Sequence, residues 1–122
     1  WMREQGMRWH QMSEIETRGF DPVLEDSISE ALDGPELIYL SIDIDVLDPA
    51  FAPATGTPEP GGLTSVELLR AVRTIVGSVE TIAADVVEVA PDYEGPANIT
   101  AEAALRVILE ILSSLANKKK SL

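Results

Sequence analysis

The chain has 122 residues, 45% of them hydrophobic and 25% charged, which is enough for one compact domain of ordinary composition. Its net charge of −12 argues against DNA or RNA as a partner, since a polyphosphate needs a basic face, and leaves a cationic substrate compatible. With no cysteine there is no disulfide framework, no thiolate nucleophile and no Cys-based zinc site. No run approaches the ~18 apolar residues of a membrane span, and the opening "WMREQGMRWH" lacks the apolar stretch of a signal peptide. The expectation is a cytoplasmic protein with neither membrane nor nucleic acid as partner. The chain opens at Trp1 rather than Met, which reads as a piece of something longer.

Taken in order, "GMRWHQM" (6–12) is expected to be a short strand. Ser13 then opens S-E-I-E, a capping-box pattern with Glu16 at the third helical position. Gly19 ends that helix. Asp21-Pro22 restarts another, with Asp as cap and Pro at the first helical position, running to about Leu32. "ELIYLSIDID" (36–45) is apolar almost throughout, as in a strand buried on both faces of a parallel sheet. Residues 46–63 follow with four prolines and three glycines. Thr64 opens T-S-V-E, a second capping box, and the helix behind it places Val66, Leu69, Val72 and Val76 near helical spacing. "ETIAADVVEVAP" (80–91) is the next strand. The last helix is expected from about Thr100 to Ala116, with Ala104, Val107, Ile108, Ile111 and Leu115 apolar, and with 116–122 as a flexible tail.

Strands alternating with helices give an α/β fold with a parallel sheet. Three strands make a small sheet, and the apolar strands and amphipathic helices would leave a greasy edge and face uncovered. The pattern is that of one part of a larger doubly wound sheet.

The candidate chemistry lies at the strand ends. Alternation along a strand projects Asp43 and Asp45 together, with Ile42 and Ile44 opposite. The carboxyl end of a strand is where open α/β sheets bind ligands. Two adjacent carboxylates repel, and a hard divalent cation such as Mg²⁺ or Mn²⁺ relieves them. No Lys, Arg or His occurs from Ile38 to Leu69 to do so instead. A calcium EF-hand does not fit, because the intervening residues are apolar and Asp48 stands where its glycine would be. The alternative is that the aspartates cap turns, and Asp48-Pro49 suits that role. The loop behind them reads as a rigid rim around a pocket. Glu88, near the end of the second strand, needs a cationic partner, either a substrate group or an internal salt bridge. His10, the lone histidine, is read as structural.

"SIDIDVLDPAFAPATGTPEPGGLT" followed by "DVVEVAP" resembles the ureohydrolase family of arginases and agmatinases, and "GTPEPGGL" looks closer to the agmatinases. The resemblance runs from about Ile38 to Leu115. It implies a partial three-layer α/β/α arginase-like fold, of which residues 1–122 would be the C-terminal part of a single domain. It implies a pair of Mn²⁺ ions, with Asp43 bridging both and Asp45 binding one. It assigns Glu88, and Thr57 beside it, to the substrate. The implied reaction hydrolyses a guanidino compound, agmatine, to putrescine and urea. Guanidinobutyrate, other guanidino acids and arginine are the alternatives. The family's Gly-Gly-Asp-His and Asp-x-His-x-Asp segments and its catalytic histidine are missing here. This chain therefore holds no catalytic residue of its own, and the N-terminal part of the same protein is the expected partner. Family members are oligomers, often trimers or hexamers. A reading of another class is a non-catalytic half-site domain that binds a partner or completes an oligomer.

Overall fold

A computed structural model describes residues 1–120. The chain divides into two compact units, residues 1–36 and 37–122.

The first unit holds helices α1 (Met12–Arg18) and α2 (Phe20–Ala31) after a single 3-10 turn at Arg3–Gln5. The expected strand at 6–12 does not form. Extended backbone is stable only when its N–H and C=O groups are paired, and no described segment pairs with this one. Both expected caps also shift. Helix α1 begins one residue before Ser13, with Gln11 at its cap and no side-chain capping bond. Helix α2 begins at Phe20, so Asp21 and Pro22 lie inside its first turn and Gly19, at φ 89°, provides the entry. Ion pairs between neighbours hold these short helices: Arg18 with Glu14 and Asp26, and Arg8 with Asp33.

The second unit is a βαβ unit followed by a long helix. Strand β1 (Leu37–Asp43) leads through a 3-10 turn (Ile44–Val46) and the Pro/Gly loop into α3 (Ser65–Ser78). Strand β2 (Glu80–Val87) then pairs with β1 in parallel, and after a 3-10 turn at Pro91–Tyr93 comes α4 (Ile99–Lys120). The described sheet has two strands, one fewer than expected. The Thr64 capping box forms as expected: its hydroxyl oxygen accepts from Glu67 N, and Glu67 Oε2 accepts from Thr64 N at 2.8 Å. Helix α3 packs on α4 through Leu68, Ala71, Val72 and Val76 against Ala104, Val107 and Ile111, all buried. Val66, expected on that face, is 73% exposed, and Ile108 is exposed too, because the packed face lies off the expected stripe.

Residues 116–120 are helix rather than tail. Lys118 Nζ donates to Val79 O and to Glu80 Oε2, each at 2.8 Å, which anchors the last turn where a cation also favours the helix dipole. The remainder of the expected tail, 121–122, lies outside the described residues.

Candidate active site

The parallel pair brings the candidate residues to one end. Asp43 is the last residue of β1 and sits in register with Val87, the last residue of β2, so that Glu88 follows at the same edge. Strand alternation does not carry the aspartate pair as expected, because β1 stops at Asp43 and Asp45 lies in the 3-10 turn. The turn keeps them together by another route. Asp45 N donates to Asp43 Oδ1 at 3.1 Å. Ile42 and Ile44 are buried at 5% and 0% exposure, as expected for the opposite side.

The Asp43 carboxyl is pushed above the usual carboxylate range. Partial burial of the carboxyl group comes first, although the residue as a whole remains exposed. The Asp45 N–H works against the rise, while the Asp45 and Glu88 carboxylates add to it. All the side chains that shift it are acidic; no cation is among them. Thr57 Oγ1 donates to Asp45 Oδ2 at 2.6 Å, which brings the loop onto the pair.

Glu88 has φ 64°, a left-handed backbone that a non-glycine residue adopts at a cost. The turn places its Oε2 against Gly56, 3.8 Å from where a Cβ would stand. Gly56 and Glu88 line a surface cavity of about 460 Å³ together with residues 89–93.

Burial and backbone hydrogen bonds fasten the first part of the loop. Ala52 and Ala54 have no exposure, Ala54 N donates to the buried Thr100 Oγ1 at 2.8 Å, and Ala90 N donates to Ala54 O at 2.9 Å. Asp48 is a loop fastener: Oδ1 accepts from Ala50 N and Oδ2 from Gly61 N, which lowers its pKa. Gly62 lies so close to the strand-end backbone that a Cβ would meet Asp48 N at 2.6 Å and Val46 O at 2.7 Å. His10, expected to be structural, sits with Nδ1 3.0 Å from Glu14 Oε2, and that bond comes first in raising its pKa.

Sequence reasoning missed a pair on the same sheet. The Tyr39 hydroxyl donates to Asp85 Oδ2 across the two strands. The signal was weak, an aspartate inside an apolar strand.

The two aspartates are oxygen donors whose mutual repulsion a hard divalent cation would relieve, so they fit part of a metal site. Among the described residues, no group of three or more His, Cys, Asp or Glu could hold an ion. The remaining ligands would have to come from elsewhere.

Open α/β sheets bind ligands outside the carboxyl ends of their strands, and Asp43 lies at that end with Glu88 just beyond it. Comparison with known proteins identifies the family. The family described as "Arginase family" matches residues 1–113, and the chain belongs to it. It is 55% identical over 76 residues to an agmatinase of Halalkalibacterium halodurans, covering 62% of this chain and 26% of that protein. It is 41% identical over 98 residues to a guanidinobutyrase of Pseudomonas aeruginosa, covering 80% and 30%. Among solved structures, the formimidoylglutamase of Bacillus subtilis superposes with a TM-score of 0.86 at 31% identity, covering 93% of this chain and 36% of that one. The fold is thus a portion of the arginase-like α/β fold. The chain spans between 24% and 35% of the length of the curated relatives it matches.

Proposed function

We propose that this chain is the C-terminal part of a manganese-dependent ureohydrolase that hydrolyses a guanidino compound, agmatine first, to an amine and urea. The observation that carries the reading is the meeting of Asp43, Asp45, Thr57 and Glu88 at one sheet end with no cation among the groups that shift Asp43. Asp43 and Asp45 would hold part of a pair of Mn²⁺ ions. When bound, these would supply Lewis acidity and a water made acidic near neutral pH. Glu88 would take the planar guanidinium through paired hydrogen bonds. The Thr57 hydroxyl holds Asp45 in place and keeps its lone pairs for a substrate N–H. In the balanced reaction, water adds oxygen to the guanidinium carbon, the bond to the alkyl nitrogen breaks, and the amine leaves with a proton. The general acid and base would be a histidine in the preceding part of the protein. The same reading brings a cytoplasmic homo-oligomer, a trimer or hexamer.

The name of the guanidinobutyrase relative supports a guanidino acid as the runner-up substrate. The absence of a three-residue ligand group among the described residues supports the second class, a half-site domain that binds or assembles without catalysis. One experiment separates them. The chain is expressed alone and with all coding sequence around it, and urea release is measured with Mn²⁺ and agmatine, guanidinobutyrate or arginine. Urea from the longer product alone supports the enzyme reading. No urea from either, with any of the three substrates, favours the half-site domain.

A further inference from the structure

Asp85 has a carboxylate oxygen that the proposed reaction leaves unused. Oδ2 accepts the Tyr39 hydroxyl, and the Ser41 hydroxyl in register with it joins Tyr39 in holding the carboxyl below its ordinary range, but Oδ1 is buried and makes no hydrogen bond of ordinary geometry. A carboxylate oxygen withdrawn from water without a donor is costly, and such atoms are nearly always paired in folded proteins. Its position relates it to the site. Asp85 is in register with Ser41, and Asp43 lies two residues further along β1. Tyr39, Ser41 and Asp43 share one face of β1 by alternation, and the Tyr39 bond sets the Asp85 carboxylate on that face. Asp43 is therefore about 7 Å further along the strand direction. The face is open beside it, with Leu37 55% and Tyr39 57% exposed.

The two aspartates leave a metal site short of ligands among the described residues. Imidazole is the common ligand that also carries an N–H, and a ligating histidine nearly always gives that N–H to a carboxylate, a carbonyl or water. We propose that Asp85 is a positioning residue whose buried Oδ1 accepts the N–H of a metal-ligating imidazole supplied from outside these residues. The inference rests on the manganese reading above. Asp85 touches neither metal nor substrate; it aims and orients a ligand, while its other oxygen ties β2 to β1 through Tyr39.

The test uses the protein expressed with all of its surrounding coding sequence. Mn²⁺ is titrated by calorimetry into wild type, Asp85→Ala, Asp85→Asn and Tyr39→Phe, and metal-free thermal unfolding is recorded for each. Asp85→Ala is expected to weaken Mn²⁺ binding ~10–100-fold, and Asp85→Asn, which keeps the shape, by several-fold. Tyr39→Phe removes only the Oδ2 partner and is expected to leave the affinity within ~3-fold. Unchanged affinity in whichever Asp85 variant folds overturns the inference while leaving the manganese reading intact. A crystal structure with water alone on Oδ1 does the same. A wild type that binds no Mn²⁺ overturns the manganese reading and this inference with it.

Discussion

Thr57 Oγ1 donates a 2.6 Å hydrogen bond to Asp45 Oδ2, twelve residues back along the chain. The loop between them is thereby tied at its far side to the carboxylate that opens it. A hydrogen bond to an ionised group stabilises by about 1.5–3 kcal/mol when shielded, and by less at this exposed position. Thr57→Val in the complete protein is expected to weaken Mn²⁺ binding about 5-fold, and Thr57→Ser to restore it. Calorimetric titration checks both. Equal affinity in Val and Ser variants would mean that the hydroxyl does not position Asp45.

Asp43 makes one contribution to the pH dependence of metal-free stability, opposite in sign to those of Asp48, Glu67, Asp85 and Glu110, whose carboxyl pKa values are lowered. Its pKa is raised in the folded state above the ordinary 3.8. The folded chain therefore holds more protons than the unfolded chain between those two values, and stability falls as pH rises through that window. The strain is present in full above the folded-state pKa and absent below the ordinary value. Asp43→Asn is expected to raise the metal-free melting temperature at pH 7 and to leave it unchanged near pH 3. It is also expected to lower Mn²⁺ affinity by more than ~100-fold. Melting curves across pH, with and without metal, read both effects. A variant that melts lower at pH 7 would contradict the raised pKa.

Gly62 has no room for a side chain. An added Cβ would stand 2.6 Å from Asp48 N and 2.7 Å from Leu47 C, both backbone atoms that cannot swing aside. Gly62→Ala is expected to destabilise the fold by about 2–3 kcal/mol, in the range of overpacking. Gly56→Ala, whose Cβ meets only Glu88 Oε2 at 3.8 Å, is expected to cost well under half of that. Urea denaturation of the two variants gives the comparison, and equal midpoints would show that the loop moves to accept either.

Glu88 pairs a backbone cost with its proposed place at the substrate. Its φ of 64° costs a non-glycine residue about 1–2 kcal/mol. Glu88→Gly is expected to give a chain at least as stable as the original, after glycine's own entropic penalty of about 0.5–1 kcal/mol is offset. The same change is expected to abolish urea release by the complete protein. Melting temperature and activity should therefore move apart. A marked fall in both would mean that the carboxylate stabilises the fold.

Much of the second unit was legible in the sequence, because its signals are local. The Thr64–Glu67 capping box needs four consecutive residues, and it formed where it was read. Asp48 as a turn former needs only its own loop, and it binds Ala50 N and Gly61 N. The first unit was less legible. The same S-x-x-E pattern at Ser13 made no cap, because the helix had already started at Met12. The apolar stripe on α3 was read with Val66 in it, but packing against α4 selected Leu68 and Ala71. Propensity ranks the possible faces, and the partner helix chooses among them.

By itself the sequence determined the family motif, the acidic residues near the strand ends and the turn role of Asp48 in the loop. These depend on residue type and spacing over a few positions. Only the tertiary structure decided where β1 stops, how Asp45 reaches Asp43 from a turn, and that Thr57 closes on it. It alone placed Glu88 in a left-handed backbone, extended α4 through Lys118 to Val79, and left one Asp85 oxygen buried without a hydrogen bond of ordinary geometry. The physical reason is that strand ends, backbone strain and unpaired atoms are set by neighbours distant in the chain. A hydrogen bond across 46 residues, such as Tyr39 to Asp85, leaves no mark on the local pattern of either segment.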